Sequence, residues 1–237
     1  LLPTSPTFIN LLLFSEACKR YDLSSLEIVT YGTEVMPQST LRSFIETFPD
    51  IKIFQQFGAT EIGVPRTRSE AKDSVWVKLD GNGFQTRVVD GMLEIKSPSA
   101  MLGYLNAPSP FTEDGWFKTG DSVEVKGEYY RILGRSTEII NVGGEKVYPA
   151  EVESTILSMD GVSDVTVTGE SHPLTGNIVK ASVQLSSDES LKEFRKRLHS
   201  YCQDKLLNYQ IPQKIQMVSE PMHSERFKKN RRKFDSA

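Results

Sequence analysis

The stretch that most constrains this chain is residues 115–153, GWFKTGDSVEVKGEYYRILGRSTEIINVGGEKVYPAEVE. Three signals follow one another in it. Thr119-Gly120-Asp121 sets one carboxylate directly after a flexible turn. Two short segments, 122–126 and 129–133, flank a Lys126-Gly127 turn and predict an antiparallel hairpin. Gly134-Arg135 then leads to a strand over 138–142, a double glycine at Gly143-Gly144, and Pro149 at the start of a helix. An Asp on a turn can accept two hydrogen bonds, which suits the adjacent hydroxyls of a ribose. An Arg just beyond it can donate to the same sugar or to a phosphate. A double glycine lets backbone approach a ligand closely. Taken singly, each piece is more often a turn, a surface arginine and a bend.

Upstream, the pattern is strand, helix, strand. Ser5-Pro6 can cap and open a helix whose partly buried face is Phe8, Leu11, Leu12 and Ser15. Residues 26–31 read as a strand ending at Gly32, and 51–55 as another ending at Phe57-Gly58. Between them Pro37 opens a helix with Leu41, Phe44, Ile45 and Phe48 at helical spacing. This is a βαβ unit, which predicts a parallel sheet with ligands beyond the carboxyl ends of its strands. Those ends carry Gly32-Thr33-Glu34 and Gln56-Phe57-Gly58-Ala59-Thr60-Glu61. Thr60-Glu61 could equally cap a helix, and Phe57 could be core. From residue 75 the pattern changes to short strands. Asp90-Gly91 between 84–89 and 92–96 is a two-residue hairpin signal, so a small antiparallel sheet or barrel is expected.

Beyond residues 134–137 the expected order is strand 138–142, helix 150–158, strands 163–169 and 177–185, helix 191–207 and strand 214–218. The last helix carries Leu191, Phe194, Leu198 and Cys202 along one stripe. This is a small α+β domain following a larger α/β one. The tail, Arg226-Phe227-Lys228-Lys229-Asn230-Arg231-Arg232-Lys233, has six basic residues in eight. It reads as a nucleic-acid or targeting patch, or as a solvated end. A net charge of −3 over 237 residues excludes a general polyanion-binding body. No apolar run reaches membrane-spanning length, and no signal-peptide pattern opens the chain. Two distant cysteines, Cys18 and Cys202, read as free thiols in a reducing cytoplasm. The chain starts at Leu1 inside an apolar pattern, which suggests a piece of a longer protein.

Taken together, the motifs resemble the adenylate-forming superfamily of acyl-CoA synthetases, amino-acid adenylation domains and luciferases. The resemblance rests on Gly115-Trp116-Phe117-Lys118-Thr119-Gly120-Asp121, on Gly134-Arg135 through Gly144, Val147, Pro149, Glu151 and Glu153, and on Phe57-Gly58-Ala59-Thr60-Glu61. It implies the distal part of a large AMP-binding α/β domain over 1–134, with a small antiparallel sheet or barrel. An α+β lid over 135–237 would follow a hinge at 135–137, where Thr137 replaces the usual Asp or Lys.

The implied reaction is ATP-dependent activation of a carboxylic acid as acyl-AMP, then transfer to CoA. Loading an acyl carrier protein is the alternative, and a non-enzymatic nucleic-acid binder acting through the tail is a third reading. The resemblance gives Phe57 to adenine, Thr60 to the α-phosphate and Glu61 to Mg²⁺. Gly32, Thr33, Glu34, Gln56 and Gly58 would line the nucleotide and acyl pocket, and Asp121 and Arg135 would hold ribose. Gly143, Gly144 and Lys146 would face the thiol substrate. By distance from Pro221, Lys229 takes the place of the catalytic lysine and Arg232 that of the terminal arginine. The family glycine is replaced by Lys228, so Lys228 competes with Lys229 for the role. The superfamily's phosphate-binding loop would lie upstream of Leu1, so this stretch alone is expected not to turn over.

Overall fold

The computed structural model describes residues 1–81 and 83–234. The Arg232 side chain, and with it the expected terminal-arginine role, lies outside the described residues. The chain forms two compact units. One comprises Leu1–Pro6, Asp22–Met36 and Phe48–Thr137; the other comprises Thr7–Tyr21, Pro37–Thr47 and Glu138–Ala237. Helices α1 (Pro6–Phe14), α2 (Ala17–Arg20) and α3 (Gln38–Thr47) therefore fall almost wholly in the second unit.

In the first unit β1 (Leu2–Thr4), β2 (Ile28–Tyr31) and β3 (Lys52–Gln55) form a parallel sheet in that order. The parallel pairing of β2 with β3 agrees with the strand–helix–strand pattern of the sequence. A six-stranded antiparallel sheet follows, built from β4 (Arg66–Ser69), β5 (Val77–Asp80), β6 (Gln85–Val89), β7 (Met92–Lys96), β8 (Phe117–Lys126) and β9 (Tyr129–Arg135). Its order is β4-β5-β9-β8-β7-β6, so it has two edges and does not close, which removes the barrel alternative. The β6–β7 turn uses Asp90 at φ 51° and Gly91 at φ 77°, as a two-residue turn between right-twisted strands requires. Its core is Ile62, Val77, Leu79, Leu93, Ile95, Phe117 and Val123, with Phe57 packed partly against it.

The second unit carries a mixed sheet of β10 (Ile140–Val142), β11 (Glu145–Val147), β12 (Val162–His172), β13 (Gly176–Leu185) and β14 (Lys214–Met217). The long β12–β13 ladder is antiparallel, and β14 pairs with β13 in parallel. Helices α4 (Pro149–Leu157) and α5 (Leu191–Gln203) bury Val152, Ile156, Phe194, Leu198 and Cys202 with the strand residues Val165, Val167, Val179, Ala181 and Val183. Ser190 caps α5 through a reciprocal capping box with Glu193.

Strand periodicity assigns the alternate residues, Asp164, Thr166, Thr168, Lys180 and Ser182, to the opposite face. A polar sheet face is normally the solvated one, yet all five are buried. Phe234 lies over this face. The Phe234 carbonyl accepts from Lys180 Nζ at 3.2 Å and from Thr168 Oγ1 at 3.4 Å. Among the described residues, no helix is long and apolar enough to cross a membrane.

Candidate nucleotide site and tail hairpin

The loops 32–34 and 56–61 follow the carboxyl ends of the neighbouring strands β2 and β3. The Gln56 N–H donates to the Tyr31 carbonyl at 2.7 Å, tying the two loops together. At Gly32 an added Cβ would lie 2.7 Å from the Gln56 carbonyl oxygen, so only glycine fits where the loops touch. Thr33 sits at φ 70°, a left-handed backbone that a β-branched residue seldom adopts. Such outliers persist where the surroundings enforce them, and they cluster at ligand sites.

The next loop closes on itself. Gly63 N–H donates to the Ala59 carbonyl at 2.8 Å, and Ala59 N–H returns to the Gly63 carbonyl at 3.2 Å. Thr60 and Glu61 stand between them, Thr60 exposed and Glu61 half-buried, while the adjacent Ile62 is fully buried and anchors the loop. Tyr104 donates its hydroxyl to Glu61 Oε1 at 2.6 Å. That hydrogen bond, helped by Glu61's own N–H and by the nearby Arg135 charge, holds the Glu61 carboxyl below its usual range. Glu61 is thus an ionised, oriented oxygen donor. Among the described residues no group of three or more His, Cys, Asp or Glu side chains could hold a metal. One carboxylate completed by substrate phosphate oxygens is a common way to hold Mg²⁺, and Glu61 fits it. Tyr104 went unassigned in the sequence because nothing in its spacing links it to Glu61.

Asp121 and Arg135 lie directly opposite one another on β8 and β9. A bulge between Ser122 and Val123 and the glycine at 134 set the two side chains together. Arg135 Nε lies 3.1 Å from Asp121 Oδ1, and Arg135 Nη1 donates to the Thr119 carbonyl at 2.6 Å. Thr119 Oγ1 donates to the Leu93 carbonyl and accepts from the Asp121 N–H, which fixes the turn. Gly120, at φ 76°, gives the chain the left-handed step between them. The expected hairpin is present, but its turn is Gly127-Glu128, since Lys126 pairs with Tyr129.

In the second unit, Gly143 and Gly144 make the β10–β11 turn at φ 59° and 94°. Gly143 N–H donates to the Thr175 carbonyl at 2.9 Å. An added Cβ at Gly144 would meet nothing within 4 Å, and Lys146, two residues on, is exposed.

The tail is not a solvated end over its described residues. Residues 222–230 form a small hairpin with an isolated bridge between His223 and Lys229. Ser224 and Asn230 donate their N–H groups to the Lys228 and Met222 carbonyls, at 2.8 and 2.9 Å. Phe227 closes the turn at φ 52°. Lys229 Nζ donates to the Val165 carbonyl at 2.6 Å and lies 3.3 Å from Asp164 and 3.8 Å from Glu153. Lys228 is exposed.

Parallel strands, a bulged antiparallel hairpin and then a small α+β unit follow one another in the order expected for the C-terminal part of an adenylate-forming protein. Residues 151–228 match the family model described as the AMP-binding enzyme C-terminal domain. A long-chain-fatty-acid–CoA ligase of Haemophilus influenzae (strain ATCC 51907 / DSM 11121 / KW20 / Rd) is 30% identical over 236 residues, covering 90% of this chain and 41% of the relative. An octahydroindenyl-propanoyl:CoA ligase of Rhodococcus jostii (strain RHA1) is 28% identical over 228 residues, covering 92% and 44%. The crystal structure of the anthranilate CoA ligase AuaEII in complex with anthranoyl-AMP superposes with a TM-score of 0.81 at 24% identity. The match covers 98% of this chain and 48% of that one, and at this identity it speaks to the fold alone. The chain belongs to the adenylate-forming superfamily, and it spans less than half the length of these relatives.

Proposed function

We propose that the complete protein is an ATP-dependent acid–thiol ligase. In the first step a carboxylate oxygen attacks the α-phosphorus of ATP and the bond to the β-phosphate oxygen breaks, giving acyl-AMP and pyrophosphate. In the second, the CoA sulfur attacks the acyl carbon, AMP leaves and the thiol proton goes to solvent. The observation that carries this reading is the Asp121–Arg135 pair held on a bulge, with Glu61 oriented by the Tyr104 hydroxyl at 2.6 Å.

The roles follow from the chemistry of each group. Asp121 accepts from ribose hydroxyls, and Arg135 holds it in place. Phe57 offers a ring face to adenine, with Gly32, Thr33, Glu34, Gln56 and Gly58 lining the pocket. Thr60 donates to the α-phosphate, and Glu61 holds Mg²⁺, which neutralises phosphate charge when bound. Residues 135–137 serve as the hinge between a large domain ending at 134 and a lid from 135 onward. The Gly143-Gly144 turn and Lys146 face the thiol substrate.

The tail supplies the cation that meets charge developing on the transferred group. Lys229 is the positional expectation, but its ammonium already has the Val165 carbonyl, Asp164 and Glu153 as partners. Lys228, exposed and next to the left-handed Phe227, is better placed for that role.

The test uses the complete protein with ATP, Mg²⁺, CoA and a panel of aliphatic and aromatic acids. Acid-dependent pyrophosphate release with matching acyl-CoA formation is expected. Lys228→Ala should abolish pyrophosphate release and leave thioester formation from pre-made acyl-adenylate intact. Gly144→Leu, which forces a side chain onto a φ of 94° at the thiol-facing turn, should do the reverse. Acyl transfer to a phosphopantetheinylated carrier protein but not to CoA would favour carrier loading. No acid-dependent pyrophosphate release would overturn the proposal.

A further inference from the structure

Five charged side chains of the second unit meet in a cluster, centred on the buried Glu153, that the reaction above does not use. Glu153 on α4 is 3% exposed. Its Oε1 accepts the Val167 N–H at 2.9 Å, and its Oε2 accepts Arg231 Nη2 at 2.7 Å. Lys229 Nζ lies 3.8 Å from the same Oε2 and 3.3 Å from Asp164 Oδ1. Arg231 Nη1 reaches Glu138 at 3.2 Å. Two cations of the tail therefore face carboxylates carried by α4, β12 and the 136–138 turn.

The alternation along the tail matters as much as the cluster. In extended chain, successive side chains point to opposite sides. Lys229 turns inward onto the cluster while its neighbours Lys228 and Asn230 are exposed, and Arg231, which opens the 3₁₀ turn Arg231–Lys233, also reaches Glu153. Register here is set by which residues can reach Glu153 and Asp164. A slip of one residue would bury Lys228 and expose Lys229. Phe227, left-handed at φ 52°, gives the chain the reversal needed just before Lys228.

We propose that Glu153 is a positioning residue. By fixing Arg231 and Lys229 it sets the register of the tail hairpin and so presents Lys228, and no other tail lysine, to the adenylation step. The part played by Lys228 rests on the function proposed above; the anchoring itself does not. Burial works to raise the Glu153 carboxyl, but Arg231, Lys229 and the Val167 N–H outweigh it and hold it below the usual range. The anchor is therefore charged at neutral pH. Glu153→Gln keeps the shape and a hydrogen-bonding amide but removes the charge that fixes two cations.

The experiment is hydrogen–deuterium exchange on the complete protein, wild type against Glu153→Gln, read on peptides spanning 222–234. Both half-reactions are measured on the same preparations. Exchange of those peptides should speed up by about tenfold or more while the β12–β13 ladder stays protected. Adenylation kcat should fall with KM for ATP unchanged, and thioester formation from pre-made acyl-adenylate should hold. A purely structural role would lower both half-reactions together, and that result overturns positioning. Wild-type protection of 222–234 in folded Glu153→Gln overturns the anchor. Should Glu153→Gln not fold, Arg231→Met tests the same contact, because it leaves Glu153 with Lys229 and the Val167 N–H. Faster exchange with unchanged adenylation would leave the anchor standing and overturn the assignment of Lys228.

Discussion

Asp121→Ala separates a nucleotide-holding carboxylate from a merely structural one, because the two readings differ in magnitude. The structural cost is small. Asp121 pairs with Arg135, whose side chain is 57% exposed, and ion pairs at such sites contribute about 0.2–1 kcal/mol. Arg135 keeps the Thr119 carbonyl at 2.6 Å, and the residue 121 N–H keeps Thr119 Oγ1 at 3.0 Å. Loss of this ion pair should therefore cost the folded protein about 1 kcal/mol. The binding cost is larger, since hydrogen bonds to a charged group contribute about 1.5–3 kcal/mol. That converts to roughly a 10- to 150-fold rise in Kd.

Calorimetric titration of the complete protein with ATP and with 2′,3′-dideoxy-ATP, at fixed Mg²⁺, distinguishes the two. The dideoxy nucleotide lacks the hydroxyls that Asp121 would accept from. Asp121→Ala should weaken ATP by the amount above and leave the dideoxy nucleotide unchanged. Equal loss for both nucleotides would mean the site had shifted rather than lost one contact. Unchanged ATP affinity would refute the ribose role.

The remaining predictions concern the metal site and the thiols. Glu61→Gln should raise the Mg²⁺ concentration needed for half-maximal adenylation, and overlaying titrations would make Glu61 structural. The Tyr104 hydrogen bond depresses the Glu61 carboxyl, so Mg²⁺ support is present above that depressed value and lost as pH falls through it. Tyr104→Phe should move that loss to higher pH, read as Mg²⁺ half-saturation across an acidic pH series. Burial pushes the Cys202 thiol up to about 11, and Cys18 is exposed. In this stretch of chain, a thiol-specific reagent at pH 8 should label Cys18 quickly and Cys202 only after unfolding, as peptide mapping would show; rapid native labelling of Cys202 would contradict its burial.

Much of the first unit was legible because its signals are local. Asp90-Gly91 requires positive φ at both positions, and both residues adopt it. The apolar strands 28–31 and 52–55, separated by a helical repeat, pair in parallel as that pattern requires. Strands without such signals were not visible. β1 contains a proline, β4 reads Arg-Thr-Arg-Ser with no apolar alternation, and β11 has three residues. The strand expected from residue 138 begins at Ile140, because Ser136–Glu138 winds into a 3₁₀ turn. The helix expected to reach 207 ends at Gln203, where the Lys205 and Leu206 N–H groups both turn back to the Cys202 carbonyl. Tyr104 reaches Glu61 across 43 positions, a separation that no local rule reads.

The tail shows why a motif register cannot be settled by spacing alone. Counting from Pro221 selects Lys229, while a Gly-Lys pattern with the glycine replaced leaves Lys228 equally eligible. What separates them is burial, and burial here depends on partners far away in sequence. Glu153 and Asp164 lie 76 and 65 positions before Lys229, on a helix and a strand that meet only in the folded unit. Their sequence neighbours announce neither. Glu153 reads as an ordinary helical carboxylate, and Asp164 sits in a Val-Ser-Asp-Val-Thr-Val-Thr alternation whose polar half should be solvated. A buried polar sheet face needs compensating charge, and the basic tail brings it. Four of the tail's described cations thus divide by geometry rather than by composition. Lys229 and Arg231 meet the sheet's and helix's carboxylates, Lys233 pairs with Glu220, and Lys228 is left at the surface beside a strained turn. A patch whose cations were there for a nucleic-acid backbone would keep them outward. The inward turn of two of them argues for a tail shaped to hold one lysine in place.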